Sequence, residues 1–306
     1  MNIYDKIQKL KKDKKAVILA HYYQNDEIQD IADFVEDSLG LSQRAAETDA
    51  EIIVFAGVKF MAETAKILNP GKKVLLTDMN AGCSLADSCK YDDFKSFIEK
   101  HPDHKVITYI NCTAEIKTLS DIICTSSNVV SIVNSFNENE KLIFAPDKNL
   151  GAYINSITGR NMLLWDGSCE VHDNIKIESI IKLKAENQDA KLIAHPECKQ
   201  AILELADFIG STTKLIEFTI KDESKKYIIA TETGILHKMK MESPNKELLI
   251  VPGEKSCNCN DCEYMKLTTL EKIYNCLDKE ENEIVLSEEI MNKAKTPIIR
   301  MLNLSK

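Results

Sequence analysis

No stretch of this sequence is both long and apolar. The N-terminal segment MNIYDKIQKLKKDKKAVILAHYY offers only AVILA after its lysines, short of the ~18 apolar residues of a membrane span and of a typical signal h-region. A cytoplasmic location and no membrane partner are therefore expected. Positive charge is also scarce: 39 Lys and Arg face 48 Asp and Glu, for a net charge of −9. Duplex recognition is dominated by phosphate neutralisation, so this balance argues against a nucleic-acid partner. An anionic ligand must be attracted locally. No low-complexity segment and no Pro- or Gly-rich linker divides the chain, so its organisation has to be read from periodicity. Only one C-x-x-C pair is present, Cys259 with Cys262, whereas structural zinc sites normally draw on clustered pairs.

What is there is a chain of 306 residues, 44% hydrophobic, with ten cysteines. At about 100–200 residues per domain the length suits two or three domains with a large core. Ten cysteines exceed what packing needs, and a reducing compartment disfavours a disulfide framework, so some should bind metal or react. Cys124, Cys198 and Cys276 lie in apolar contexts and read as small buried hydrophobes. Cys83, Cys169 and the Cys257–Cys262 cluster, flanked by Gly and Asp, do not.

Three strand-like runs end in a polar residue: AVILAHYYQ at His21, VITYINCTAE at Asn111 and KLIAHPECK at His195, spaced by 90 and 84 residues. Each is followed 15 to 17 residues later by a hydroxyl cluster opening a helix: Ser38 in DSLGLS, Ser126 in CTSSN, and Ser211 and Thr212 in GSTT. A second apolar run then ends near Phe55, Asp147 or Glu232, and a third leads to Cys83, Cys169 or Cys262. Four features recur in one order three times. Val-, Ile- and Leu-rich runs alternating with amphipathic stretches such as DIADFVEDSL and FMAETAKIL mark parallel α/β sheets, whose functional groups gather outside the carboxyl ends of the strands. Three such units about a pseudo-threefold axis aim their strand ends at one central cavity, and EYMKLTTLEKIYNCL and SEEIMNKAKTPIIRMLNL read as helices packing back on them.

One cysteine per unit places three thiolates at the centre. Spacing alone leaves open a zinc site, no metal, or a [4Fe–4S] cluster with one iron free to act as a Lewis acid. At this point the motifs HYYQ, EDSLGLS, FMAETAKIL, AGCSLADSC, YINCTAEIK, CTSSN, FAPDKNLG, WDGSCEVH, AHPEC, GSTT, TETG and CEYMKLTTLEK, in this order from about residue 18 to about residue 275, resemble the quinolinate synthase family. The resemblance implies an α/β fold of three similar three-layer αβα domains with short parallel sheets around a pseudo-threefold axis. The expected spans are 1–86 with helices 263–306 packing back, 87–172, and 173–262. It implies a [4Fe–4S] cluster held by Cys83, Cys169 and Cys262, and a condensation of iminoaspartate with dihydroxyacetone phosphate to quinolinate, phosphate and water in NAD biosynthesis. A transient contact with the aspartate oxidase or dehydrogenase that supplies iminoaspartate is a further expectation.

Residue by residue, the resemblance gives Tyr23 and Glu197 the isomerisation of the triose, and Tyr109 and Asn111 the dicarboxylate. His172 and Met265 carry over as pocket residues near the cluster. His21 and His195 stand at strand ends as catalytic and substrate-binding candidates, and Ser38, Ser126, Ser211 and Thr212 as anion binders at helix starts. The bland alternatives are ordinary N-caps for the hydroxyls and a satisfied core tyrosine for Tyr23. Asp147, Lys148 and Glu63 read equally as loop supports, Glu232 has no assigned step, and His101, His104 and His237 read as surface residues. Cys112 stands where Ser or Thr is expected, which leaves two readings, a fourth thiol near the substrate or a spectator. Cys257 and Cys259 beside Cys262 suggest redox control. A different [4Fe–4S] hydro-lyase would need neither a phosphate site nor the Tyr23–Glu197 pair. An iron–sulfur sensor or electron carrier would lack the convergent His, Ser and Asn set.

Overall fold

The computed structural model describes residues 2–252 and 260–305. Among these, three four-stranded sheets are built in chain order. The first contains β1 (Ala16–His21), β2 (Phe34–Glu36), β3 (Ile52–Ala56) and β4 (Lys73–Leu76); the second β5 (His104–Tyr109), β6 (Ile122–Cys124), β7 (Lys141–Ala145) and β8 (Leu163–Leu164); the third β9 (Lys191–Ala194), β10 (Phe208–Ile209), β11 (Lys226–Ala230) and β12 (Glu247–Ile250). The spatial orders are β2-β1-β3-β4, β6-β5-β7-β8 and β10-β9-β11-β12. Every pairing within them is parallel. The same topology is thus repeated three times, as the periodicity predicts, in three αβα units.

The apolar runs are continuous because both faces of each sheet are covered. β3 is buried along its whole length, with Ile53 and Phe55 in one cluster and Ile52, Val54 and Ala56 in another. In the third sheet Ile193, Tyr227 and Ile229 face one cluster, while Leu192, Ala194 and Ile228 face the other. This alternation is the period-two geometry of a strand. The helix Lys59–Leu68 corresponds to FMAETAKIL. DIADFVEDSL is not one helix: the helix Asp26–Ile31 stops and β2 follows. Three apolar runs per unit were read from the sequence; the fourth strand in each, β2, β6 and β10, is an edge of only two or three residues. Such a strand holds its place through parallel hydrogen bonds to β1, β5 or β9, and carries no periodicity of its own.

At the C-terminal end, the helix Leu270–Lys279 packs on the helix Ile3–Asp13, and Glu288–Leu304 packs against β6, Ala114–Lys117 and Lys59–Leu68. The last helix therefore bridges the first and second units. A polar knot ties all three: Ser127 Oγ donates to Asp37 Oδ2 at 2.6 Å and lies 2.7 Å from the Ser211 hydroxyl, and Thr213 Oγ1 donates to the same Asp37 oxygen at 2.8 Å.

Gly234 sits where the third unit meets the first. A Cβ there would lie 2.7 Å from the Tyr23 carbonyl carbon and 2.8 Å from its Cα, and backbone cannot yield as a side chain does. Gly234→Ala is expected to lower stability by about 1–3 kcal/mol through overpacking, read from the urea midpoint, and to displace Tyr23.

Candidate active site

A cavity of about 1300 Å³, counting its open mouth, lies at the carboxyl ends of the three sheets. His21, Tyr23, Ser38, Tyr109, Asn111, Ser126, His172, His195, Glu197, Thr212 and Met265 line it, together with Cys83, Cys169 and Cys262. Ser211 does not. Its hydroxyl is spent accepting from Lys214 N as the N-cap of Thr212–Lys221 and bonding the Ser127 hydroxyl, and Thr212 beside it reaches the cavity instead. In the other two units the caps are Asp37 and Asn128, which leaves the neighbouring Ser38 and Ser126 facing the cavity. Asp37 Oδ1 already takes the N–H groups of Leu39 and Gly40, so those two backbone donors of that helix start are not free for a ligand.

The strand-end histidines use one local turn twice. His21 Nδ1 accepts the N–H of Tyr23 at 3.2 Å, and His195 Nδ1 accepts the N–H of Glu197 at 3.4 Å. The turn throws the side chain two residues on into the cavity, which is how Tyr23 and Glu197 come to line it. It also sets the tautomer: a neutral ring whose Nδ1 accepts must carry its proton on Nε2. Burial disfavours the charged imidazole and lowers His21 to about 4 and His195 to about 3. Both rings therefore offer neutral Nε2–H donors, and neither supplies positive charge. Imidazole ¹⁵N spectra of the metal-free chain are expected to show the Nε2–H form of both rings unchanged from about pH 8 to about pH 5; titration of either within that range contradicts the assignment.

His172 is held differently. Its Nδ1 lies 2.7 Å from Glu197 Oε2 and 3.3 Å from Cys169 Sγ, and its Nε2 lies 2.9 Å from Thr231 Oγ1. It stacks on His195 with ring centroids 4.7 Å apart. Glu197 is 2% exposed. Burial alone pushes its carboxyl up, but His172 and the Tyr109 hydroxyl outweigh it and hold Glu197 ionised, below the ordinary range. Burial beside Glu197 raises the Tyr23 and Tyr109 phenols well above their usual value, so both keep their protons. The site thus holds an ionised carboxylate and a protonated phenol together, groups whose environments push them to opposite roles.

Among the described residues no Lys or Arg lines the cavity. Lys266 lies behind it, donating to the Tyr23 carbonyl at 2.7 Å and pairing with Glu232 at 2.9 Å. Burial raises Glu232 to about 7. Its carboxylate also accepts Cys262 N at 3.2 Å, while buried Asp147 accepts Cys169 N at 3.2 Å and Leu150 N at 2.8 Å. These two carboxylates hold the backbone of the cysteine loops, Glu63 holds Ala114 N at 2.8 Å, and Lys148 pairs with exposed Asp166.

Each central cysteine follows the last strand of its unit. Cys83 and Cys169 stand immediately before short helices, and Cys262 precedes the turn Met265–Leu267. Burial raises Cys83 to about 12, Cys262 to about 11 and Cys169 well above the free value, partly offset by backbone amides of the turns that follow. A metal that binds here must displace protons. All three cysteines line the same cavity. They are nonetheless too spread for a single ion. Among the described residues the one trio with ligand atoms within 4.8 Å of one another is Cys169, His172 and Glu197, whereas thiolates bound ~2.3 Å from one zinc lie only about 4 Å apart. The donor set therefore suits a polynuclear centre, with the His172 nitrogen engaged by Glu197.

Of the two readings of Cys112, the structure favours the spectator. It is fully buried in an apolar cluster with Phe94 and Ile116 and does not line the cavity, because its side chain turns away from the cavity that Asn111 faces. Cys124, Cys198 and Cys276 are fully buried, as read from their contexts. Cys257 and Cys259 lie outside the described residues. Sequence reasoning passed over Asp37 and Thr231. Asp37 was signalled by its place before the helix, and Thr231 by being the first polar residue past the apolar run Tyr227–Ala230.

The chain matches a family model described as Quinolinate synthetase A protein over residues 5–303. It is 58% identical over 299 residues to a protein of Synechocystis sp. named quinolinate synthase, covering 98% of this chain and 94% of the relative. A relative of that name from Microcystis aeruginosa is 55% identical, covering 99% and 95%. One from Chloroherpeton thalassium is 52% identical, covering 100% and 95%.

Proposed function

Because the chain belongs to the quinolinate synthetase A family, we propose that it is a quinolinate synthase, condensing iminoaspartate with dihydroxyacetone phosphate to give quinolinate, phosphate and water for NAD biosynthesis in the cytoplasm. The observation that carries this reading is the meeting, in one cavity, of a lone cysteine from each of three repeats with the Tyr23 and Glu197 side chains. A [4Fe–4S] cluster held by Cys83, Cys169 and Cys262 fits the donor set, and when bound it supplies a Lewis-acid position at the iron that no protein residue ligates.

The chain's own residues do the rest. Tyr109 and Asn111 face the dicarboxylate; Asn111 Oδ1 is buried without a hydrogen-bond partner, an orphan that a ligand donor satisfies. The His21 and His195 Nε2–H groups and the Ser38, Ser126 and Thr212 hydroxyls supply neutral donors to carboxylate and phosphate oxygens. Ser211 supports Thr212 from behind. Glu197, ionised, takes a proton from the carbon beside the triose carbonyl, and Tyr23, protonated, donates at the oxygen. Met265, 4% exposed, closes the wall near the cysteines with His172. Imines hydrolyse in water, so a transient contact with the aspartate oxidase or dehydrogenase that makes iminoaspartate belongs to the same proposal. The test is anaerobic reconstitution followed by incubation with both substrates. Quinolinate is the expected product, and its absence with a fully assembled cluster overturns the reading.

A further inference from the structure

Asn111 is the odd member of the three strand-end residues. In the first and third units the histidine itself closes the turn beyond the strand, its Nδ1 accepting the N–H two residues on. Asn111 makes no such bond, and its Oδ1 is buried without a partner. The turn around it is held from outside. Cys112 N donates to the Ile110 carbonyl at 2.8 Å, a γ-turn bond with Asn111 at its apex. The Lys117 ammonium, at the end of the helix Ala114–Lys117, donates to the same Ile110 carbonyl at 3.1 Å and to the Cys112 carbonyl. One side chain thus grips the carbonyls on both sides of Asn111.

Lys117 is fully buried and does not line the cavity. Its ammonium lies 5.6 Å from the ring centroid of Phe60, a wall residue, which is a cation–π distance. Glu63, from the same helix as Phe60, accepts Ala114 N at 2.8 Å. Burial raises the Glu63 carboxyl, and Lys117 is the largest influence opposing that rise. A buried ammonium is costly unless it is hydrogen-bonded and paired, and the hydrogen bonds that satisfy this one fall on the turn that carries Asn111. We propose that Lys117 is a positioning residue for dicarboxylate recognition: by drawing the Ile110 and Cys112 carbonyls onto its ammonium, it fixes the turn that aims the Asn111 amide into the cavity. This rests on the quinolinate synthase reading, which gives Asn111 the dicarboxylate. Without the ammonium both carbonyls lose this donor, and the peptide planes flanking Asn111 are free to rotate. The amide then no longer meets the ligand in one orientation.

The test compares anaerobically reconstituted wild type and Lys117→Met, each with and without Asn111→Ala. Met keeps the length and apolar stem of Lys and lacks its donors and charge. Calorimetry gives the affinity for quinolinate, steady-state kinetics the KM for triose, and iron content with absorbance near about 400 nm reports the cluster. The expected result for Lys117→Met is a quinolinate Kd raised roughly tenfold to a hundredfold, the cost of losing a hydrogen bond to a charged group, with the triose KM within about threefold of wild type and iron content unchanged. Asn111→Ala is expected to weaken quinolinate binding in the Lys117 chain and to add less than about twofold in the Met background, since the two changes remove one interaction. An unchanged Kd in Lys117→Met overturns the proposal. So does an equal loss toward triose, which assigns the effect to the site as a whole, or a loss of iron, which assigns it to folding. A full further loss from Asn111→Ala in the Met background also overturns it, since Lys117 then does not act through Asn111. Should Lys117→Met fail to accumulate because Glu63 is left without its cation, Glu63→Gln combined with Lys117→Met removes both charges and reads the same cycle. A wild type that, with its cluster assembled, neither makes nor binds quinolinate is a different failure, that of the quinolinate synthase reading itself, and the proposal falls with it.

Discussion

Replacing any one of Cys83, Cys169 and Cys262 with alanine is expected to abolish the absorbance near about 400 nm and the bound iron, and activity with them. The three sulfurs come from three different units, and each is the only cysteine of its unit on the cavity wall among the described residues. Among the described residues no spare thiol stands in reach: Cys112 and Cys198 are fully buried away from the cavity. With three protein ligands already one short of a full set of four, losing another leaves only two thiolates. Iron and sulfide analysis after anaerobic reconstitution reads this directly. Cys276→Ala is the control, since that sulfur is buried against the Leu76 carbonyl and its removal should cost only about 1 kcal/mol or a little more of stability. Retention of a full cluster by any of the three central variants would show that the ligand assignment is wrong.

Glu197→Gln is expected to reduce kcat by about 10²–10⁴-fold while leaving iron content intact, and Tyr23→Phe to reduce it by about 10–10³-fold. Gln preserves volume and can still accept from His172 Nδ1 and from Tyr109, so the scaffold survives. What it cannot do is take a proton. The neighbours that hold Glu197 ionised despite its burial, His172 at 2.7 Å and the Tyr109 hydroxyl, are what make it a base at neutral pH. Tyr23 is the complement: burial raises its phenol, so it stays a proton donor. Steady-state kinetics with triose varied separate the two readings of a loss. A fall in kcat at constant KM marks chemistry; a rise in KM at constant kcat returns Glu197 to binding alone. Full activity in Tyr23→Phe removes the phenol from the reaction.

Much of this arrangement was legible because it repeats. His21, Asn111 and His195 mark three first strands, and Cys83, Cys169 and Cys262 three last ones, so the sheets and their cysteines could be aligned without coordinates. What escaped was whatever does not repeat or is too short to show a period. The edge strands β2, β6 and β10 depend on a neighbour for their hydrogen bonds. Ser211 matched Ser38 and Ser126 in sequence, yet its hydroxyl is consumed by a cap and by Ser127. Cys112 adjoins Asn111 in sequence and turns away from the cavity in space.

The sequence by itself determined the α/β class, the three units and the set of residues that could do chemistry, because hydrophobic periodicity and strand-end position are local properties. Only the tertiary structure decided which of those residues meet. Tyr23, Thr231, His172 and Glu197 come from all three units, and the ionisation of the last depends on partners far away in the chain. Protonation is decided by burial and by charges within a few ångströms, and neither exists until the units have closed around the cavity.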